Sequence, residues 1–213
     1  MWDAAKNYWS GHEWDATTDP WQPTINGATS SNYPKSKAAD ASRWYHEGSG
    51  SFEASNALFK QLPNANEMGW YVLKGDAHWD NSTKWKVFGK VYTGGIWLKK
   101  LSVIAKENNK ELADLKQADP NEKNLLTSSD SYTISPKPGK PADSVIGNYF
   151  FLPALGYYSK GQLYTLGSYG NYWSSSADPR NSSDAYSLYF YSGKVYFASY
   201  YSRHAGFVAQ PFE

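Results

Sequence analysis

Tyr186-Ser187-Leu188-Tyr189-Phe190-Tyr191-Ser192-Gly193-Lys194-Val195-Tyr196-Phe197-Ala198 is the stretch whose reading decides the fold. Successive side chains of a β-strand point to opposite faces, so Leu188 and Phe190 share one face while Ser187, Tyr189 and Tyr191 share the other. Ser192-Gly193 supplies a tight turn. After it Val195 and Phe197 continue the inner face, and Tyr196 and Ala198 point outward. The pattern predicts a hairpin in which Leu188, Phe190, Val195 and Phe197 are buried and Tyr189, Tyr191 and Tyr196 are exposed.

Upstream of the hairpin, everything from Tyr149 onward has β character. Tyr149-Phe150-Phe151-Leu152-Pro153 reads as a strand ended by proline, and Gly156, Gly161, Gly167, Gly170, Gly193 and Gly206 supply turns between short strands. Eleven of the 18 tyrosines lie at or after Tyr157, and six fall between Tyr186 and Tyr201. Only four of the 21 basic residues lie beyond position 150. The outward positions thus form a neutral surface of Tyr, Ser, Ala and His, a composition typical of paratopes, where tyrosine offers large contact area with few rotatable bonds. The competing explanation is that tyrosine has high β propensity and its rings merely stack across strands.

The earlier part reads differently. Helical spacing predicts helices over Lys37 to His46 and over Phe52 to Leu62, the latter with Phe52, Leu58, Phe59 and Leu62 on one side and Pro63 as its stop. A further helix is expected to start at Asn64 or Asn66, with Met68, Tyr71 and Val72 inward and Gly75-Asp76 at its end. Another is expected from about Gly95 through Ile96, Leu98, Leu101 and Ile104 to Asn108, with Leu112 and Leu115 as a short continuation. The middle region is therefore expected to be helical. Between Asp119 and Asp143 the chain turns polar, with Pro120, Pro136, Pro138 and Pro141; residues 119–143 read as a long loop or insertion in which Tyr132 and Ile134 can pair as a short strand. Residues 1–213 are taken as one domain.

Composition excludes several classes of function. With 21 Lys+Arg against 20 Asp+Glu the net charge is +1, which disfavours nucleic acid or an anionic membrane as the main ligand. No apolar stretch approaches the ~20 residues that cross a bilayer, and Met1-Trp2-Asp3-Ala4-Ala5-Lys6 does not have the pattern of an export signal. There is no cysteine, so disulfides, thiolate nucleophiles and Cys-based metal sites are excluded. His12, His46, His78 and His204 lack the paired spacing of zinc ligands. No nucleophile motif, phosphate loop or dinucleotide fingerprint occurs; Gly94-Gly95 and Gly48-Ser49-Gly50 read as turns. Trp2, Trp9, Trp14 and Trp21 are irregularly spaced, as expected for packing against loops rather than a sugar-stacking platform. No enzyme, metal or cofactor is expected.

Gly170-Asn171-Tyr172-Trp173-Ser174-Ser175-Ser176, then Asp184 through Gly193, then Arg203-His204-Ala205-Gly206-Phe207, with Phe151-Leu152-Pro153-Ala154-Leu155-Gly156-Tyr157 upstream, resembles the ending of bacterial and phage proteins with the C-type-lectin-like fold. More narrowly it resembles the variable proteins of diversity-generating retroelements, which include phage tropism determinants and bacterial surface adhesins. The likeness covers about residues 149–213 and implies an α+β, C-type-lectin-like fold with a helical middle and a β-rich carboxyl end, in which Trp173 is core. It also implies that residues 170–213 are a variable, ligand-facing region. In that family template adenines are replaced, so Asn codons yield Tyr, Ser, Asp, His, Phe or Ala but never a stop. Ser187, Tyr189, Tyr191, Tyr196, Ala198, Ser199, Tyr200, Tyr201, His204 and Ala205 all hold residues reachable in this way and are the expected ligand-binding positions; Lys194 departs from the pattern. Formylglycine-generating oxidases share the fold but need a cysteine pair, which this chain lacks. Calcium-dependent sugar binding in related lectins uses Glu-Pro-Asn and Trp-Asn-Asp motifs; only Asp119-Pro120-Asn121 and Trp79-Asp80-Asn81 come near them, far from the expected places, and both are read as loops.

The implied function is a non-enzymatic adhesin or receptor-binding domain on a bacterial cell surface or phage particle, with a surface protein or glycan of a target cell as partner. A structural subunit of a pilus or phage fibre and a glycan-binding module are the alternatives. If tyrosine-mediated contact dominates, partner binding is expected to be equal in chelator and in calcium and to fall only weakly across a salt series. Titration of an identified partner under both conditions checks this; loss on chelation would point to Asp119, Asn121, Asp178 and Asp184 as oxygen ligands.

Overall fold

A computed structural model describes residues 1–10, 31–48 and 52–213. His12, Trp14, Trp21 and, of the turn read at Gly48-Ser49-Gly50, Ser49 and Gly50 lie outside the described residues. The chain is mixed α+β, with few helices and many strands.

The hairpin is where the alternation put it. Strand β11 (Asp184–Tyr191) pairs antiparallel with β12 (Lys194–Ser202), with Leu188 opposite Phe197 and Phe190 opposite Val195. These four side chains are fully buried, whereas Tyr189, Tyr191 and Tyr196 are half-exposed. Strand β10 (Gly170–Ala177) lies on the other side of β11, and β5 (Tyr132–Ile134) closes the far edge against β12. The short strand expected at Tyr132 and Ile134 therefore belongs to the carboxyl-terminal sheet. Gly170 is required at the start of β10: a Cβ there would sit 2.0 Å from the Phe190 ring.

A second sheet has the order β6-β1-β4-β7, formed by β1 (His78–Asp80), β4 (Gly95–Lys99), β6 (Lys137–Pro138) and β7 (Tyr149–Pro153). Two small hairpins stand beside the sheets: β2 (Trp85–Val87) with β3 (Lys90–Tyr92), and β8 (Tyr157–Ser159) with β9 (Gln162–Tyr164). Helix α1 (Ala65–Lys74) packs against β10, β11 and β12 and also touches β4. It begins as expected: Asn64 accepts from the Glu67 N–H and Glu67 answers at the Asn64 N–H, a capping box. Met68, Tyr71 and Val72 are buried, and Gly75 ends the helix.

Three helical expectations fail. Residues 37–46 form turns. In 52–62 only Phe59–Gln61 is helical, as a 3-10 turn, because Glu53 instead bridges to Ser176 of β10. The apolar side is nonetheless used, since Phe59 and Leu62 are buried and Phe52 and Leu58 pack beside them. The span Gly95 to Asn108 divides: Gly95–Lys99 is β4, and only Leu101–Glu107 is helix α2, followed by α3 (Leu112–Gln117). Ile96 and Leu98 fit both periodicities, and the tertiary partner decides between them. At Gly95 a Cβ would lie 2.2 Å from the Phe151 ring and 2.6 Å from the Leu152 carbonyl of β7, so this stretch pairs where a side chain could not. The middle is thus strand as much as helix.

The large core gathers Leu188, Phe190, Val195 and Phe197 with α1 and the second sheet. A smaller core lies around the buried Trp173, with Trp2, Ala54, Phe59, Leu62, Ala177, Ala185 and Phe207. Arg203 staples its edge: the guanidinium lies between the Trp2 and Phe52 rings at 4.7 and 4.8 Å and donates to the carbonyls of Asp184, His46 and Gly48. Phe190→Ala should destabilise the fold by ~3–5 kcal/mol, measured by denaturant unfolding; a loss within the ~0.5 kcal/mol of a surface change would mean the register differs.

Candidate functional site

The outward residues of β11 and β12 do not form a uniform exposed face. Strand pairing sets Ser187 opposite Ala198 and Tyr189 opposite Tyr196, so all four share the face expected of them. That face divides along its length. At its Trp173 end the smaller core covers it, and Ser187 and Ala198 are fully buried. Ser199 is also buried, its hydroxyl 2.7 Å from that of Ser129, where β12 shifts register against β11. As contact residues these three are corrected: covered by neighbouring chain, they cannot touch a partner on the native surface.

The other seven positions are accessible. Tyr200 is 56% exposed, His204 is exposed, and Tyr189, Tyr191, Tyr196, Tyr201 and Ala205 are half-buried. Their rings touch one another in sequence. Tyr191 meets Tyr169 at 5.2 Å, Tyr169 stacks on Tyr189 at 5.5 Å, and Tyr189 meets Tyr201 at 6.5 Å. Tyr201 stacks on Tyr200 at 5.5 Å, and Tyr200 meets Tyr196 at 5.8 Å. Tyr201 also leans on Phe207, which continues to Tyr157 and Tyr164. Lys194 places its ammonium 5.5 Å from the Tyr196 ring. The rim therefore combines both readings of the tyrosines: the rings stack on each other and still present edges and hydroxyls to solvent.

Electrostatically the rim is neutral. Burial raises the Tyr189 phenol well above the usual range, and the neighbouring Tyr169 and Tyr191 phenols add to the shift. Burial, then Tyr196 and Tyr189, does the same for Tyr201. His204 stands apart, edge-on to Tyr45 at 4.3 Å and to Trp44 at 5.0 Å, and burial lowers its pKa. Among the described residues no cluster of His, Asp and Glu could hold a metal ion, and no helix is long and apolar enough to cross a membrane.

No family model, curated protein or solved structure matches the chain. Tyr169, Tyr157, Tyr164 and Phe207 belong to the aromatic run, yet none of them lies in the hairpin that draws attention in the sequence. Tyr157 and Phe207 fall within the motifs that carry the resemblance, whereas Tyr164 and Tyr169 lie in neither those motifs nor the hairpin.

The two acidic motifs have internal partners. Asp80 is buried and accepts from the Ser82 and Thr83 backbone N–H groups and hydroxyls and from the Trp97 indole N–H. Burial alone would raise its pKa, but the Ser82, Thr83 and Trp97 bonds outweigh it and hold the carboxyl well below the usual range. Asp119 is buried too, accepting from the Asn121 and Lys123 N–H groups and the Tyr132 hydroxyl.

Two outcomes follow. Tyr200→Ser should alter stability by no more than ~0.5 kcal/mol, whereas Tyr201→Ser, which strips rings from both Tyr189 and Phe207, should cost ~1–3 kcal/mol; equal effects in denaturant unfolding would contradict the asymmetry. Because the Asp80 pKa is depressed in the folded state, its contribution is present above the unfolded value of ~3.9 and lost as pH falls below it. Asp80→Asn should be less stable than the parent at neutral pH, with the gap narrowing toward pH ~2; a gap independent of pH would show that the charge is irrelevant.

Proposed function

We propose that the chain is a non-enzymatic binding domain whose contact surface is the tyrosine rim Tyr191, Tyr169, Tyr189, Tyr201, Tyr200 and Tyr196, extended by His204 and Ala205. One observation carries this reading: half-exposed rings in mutual contact stand on a hairpin whose other side is fully buried. Such rings lose little freedom on binding, because their neighbours already restrict them. The buried side supplies the core, so side chains on the rim can change without loss of the fold.

The scaffold is read as C-type-lectin-like, and the rim as a surface diversified by a retroelement. On that reading the domain is displayed on a bacterial surface or a phage particle and selects a molecule on a target cell. The accessible positions Tyr189, Tyr191, Tyr196, Tyr200, His204 and Ala205 are free to vary, change at Tyr201 carries the cost of its Tyr189 and Phe207 contacts, and Ser187, Ala198 and Ser199 would be restricted to small residues by the chain packed over them.

Two measurements test the proposal. The DNA around the gene should contain a reverse transcriptase and a near-repeat of the last coding segment; a locus with neither sinks the diversification reading. Fluorescently labelled domain should attach to its target cells, and joint Tyr191→Ser, Tyr196→Ser and Tyr200→Ser substitution should abolish attachment at nearly unchanged melting temperature. Undiminished attachment by that variant would remove the rim as the contact surface. Concentration-dependent self-association that the same variant disrupts would favour the fibre-subunit alternative.

A further inference from the structure

Beside the hairpin tip two open clefts, about 500 Å³ and about 410 Å³ in volume, share Trp79, Asn81 and Ser192 as walls. The first is closed by Pro136, Pro138 and Gly139 of the excursion that follows β5, and the second by Gly167, Ser168, Tyr169 and Tyr191. Both fall within the roughly 300–1,000 Å³ range of small-ligand sites. We propose that together they form one binding site for an uncharged saccharide, engaged without a metal ion.

The chemistry of the walls selects that class. Tyr169 and Tyr191, half-buried and 5.2 Å apart, line the wall with aromatic rings against which the C–H side of a sugar can pack, and Pro136 and Pro138 add apolar surface. The Trp79 indole N–H, a donor only, bonds the Asn81 side chain at 2.9 Å, so the atom it meets is the amide oxygen. The Asn81 amide N–H donors are thereby left toward solvent, on an exposed residue. Ser168 and Ser192 are exposed hydroxyls that both donate and accept, which suits the alternating donors and acceptors of a polyol.

Among the described wall residues the only ionised one is Asp80, and both its oxygens are taken: one by Ser82 and the Thr83 N–H, the other by the Thr83 hydroxyl and Trp97. It therefore neither repels a neutral ligand nor offers an uncommitted oxygen to a cation. The adjacent lysines are paired elsewhere, Lys137 with Asp76 and Lys140 with Asp143. An anionic ligand would find no free cation among the described wall residues. The site shares Tyr169 and Tyr191 with the tyrosine rim but is otherwise built from residues outside it, most of them well before the carboxyl-terminal segment. It would thus give the domain a fixed sugar contact beside a changeable protein contact.

The test is titration of the full chain with a panel of neutral and anionic mono- and oligosaccharides, followed by the NMR signals of the Trp79 indole and the Asn81 side-chain amide. At least one neutral saccharide should shift both, equally with and without EDTA. Ser192→Trp, which fills the shared mouth, and Ser168→Trp on the opposite wall should each weaken binding by about tenfold or more at unchanged melting temperature. Asn81→Asp, which keeps an acceptor for Trp79 but removes the amide donors, should weaken it by about tenfold. Tyr200→Ser should leave it unchanged. No shift with any neutral saccharide, tighter binding of anionic ones, dependence on a metal, or full binding by both tryptophan variants would overturn the inference. That failure would leave rim-dependent attachment to cells intact, whereas loss of the rim reading alone would leave saccharide binding to Ser192 and Asn81 intact.

Discussion

Burial of Leu188, Phe190, Val195 and Phe197 on one face of the β11–β12 hairpin is the constraint on which the rest of the structure depends. These side chains meet rings from several parts of the chain: Phe190 lies between Tyr172 and Trp79, and Phe197 between Tyr186 and Tyr132. A slip of one residue would carry all four into solvent and drive tyrosine hydroxyls into the core. Register is therefore strongly specified. The outward side chains inherit fixed positions from it without having to contribute much to stability.

The opposite face of the same sheet is only partly free. Trp173, Ala177 and Ala185 pack under Phe207 together with Trp2, Ala54 and Phe59, and the Trp2 indole N–H reaches the Ser174 carbonyl at 2.9 Å. Arg203 draws the ends of β11 and β12 to the chain around His46 and Gly48. The consequence is a graded surface: small, covered side chains at Ser187 and Ala198 give way to large, half-exposed rings at Tyr189, Tyr191 and Tyr196. Wherever chain lies over the sheet, the outward position needs a small residue; beyond that cover, it can take a ring.

That grading also accounts for the composition. The chain has an aromatic share of 17%, and among the described residues most rings fall in three settings: the large core, the smaller core under Phe207, and a rim where tyrosine hydroxyls stay wet while the rings shield one another. The clefts at the hairpin tip adjoin that rim and share Tyr169 and Tyr191 with it, while their other walls come from β1 and the residues after it, from the chain around β6, and from the turns before β10 and at the hairpin tip.

Period-two alternation made the β11–β12 hairpin, its turn and its buried residues legible from sequence, because one buried face imposes a pattern no other structure shares. The Asn64 cap, the α1 face, β7 and the Tyr132–Ile134 strand were legible for similarly local reasons. The partition of Gly95 to Asn108 was not, because Ile96 and Leu98 satisfy helical and strand spacing alike and only the close approach of Phe151 and Leu152 to Gly95 selects the strand. Nor was the burial of Ser187, Ala198 and Ser199, since alternation assigns a residue to a face but says nothing of what another part of the chain lays over it. The sequence by itself determined which side chains share a face. Only the tertiary structure decided which of them are covered, because the covering residues, Trp2, Phe59 and Phe207, come from segments whose approach no local pattern encodes.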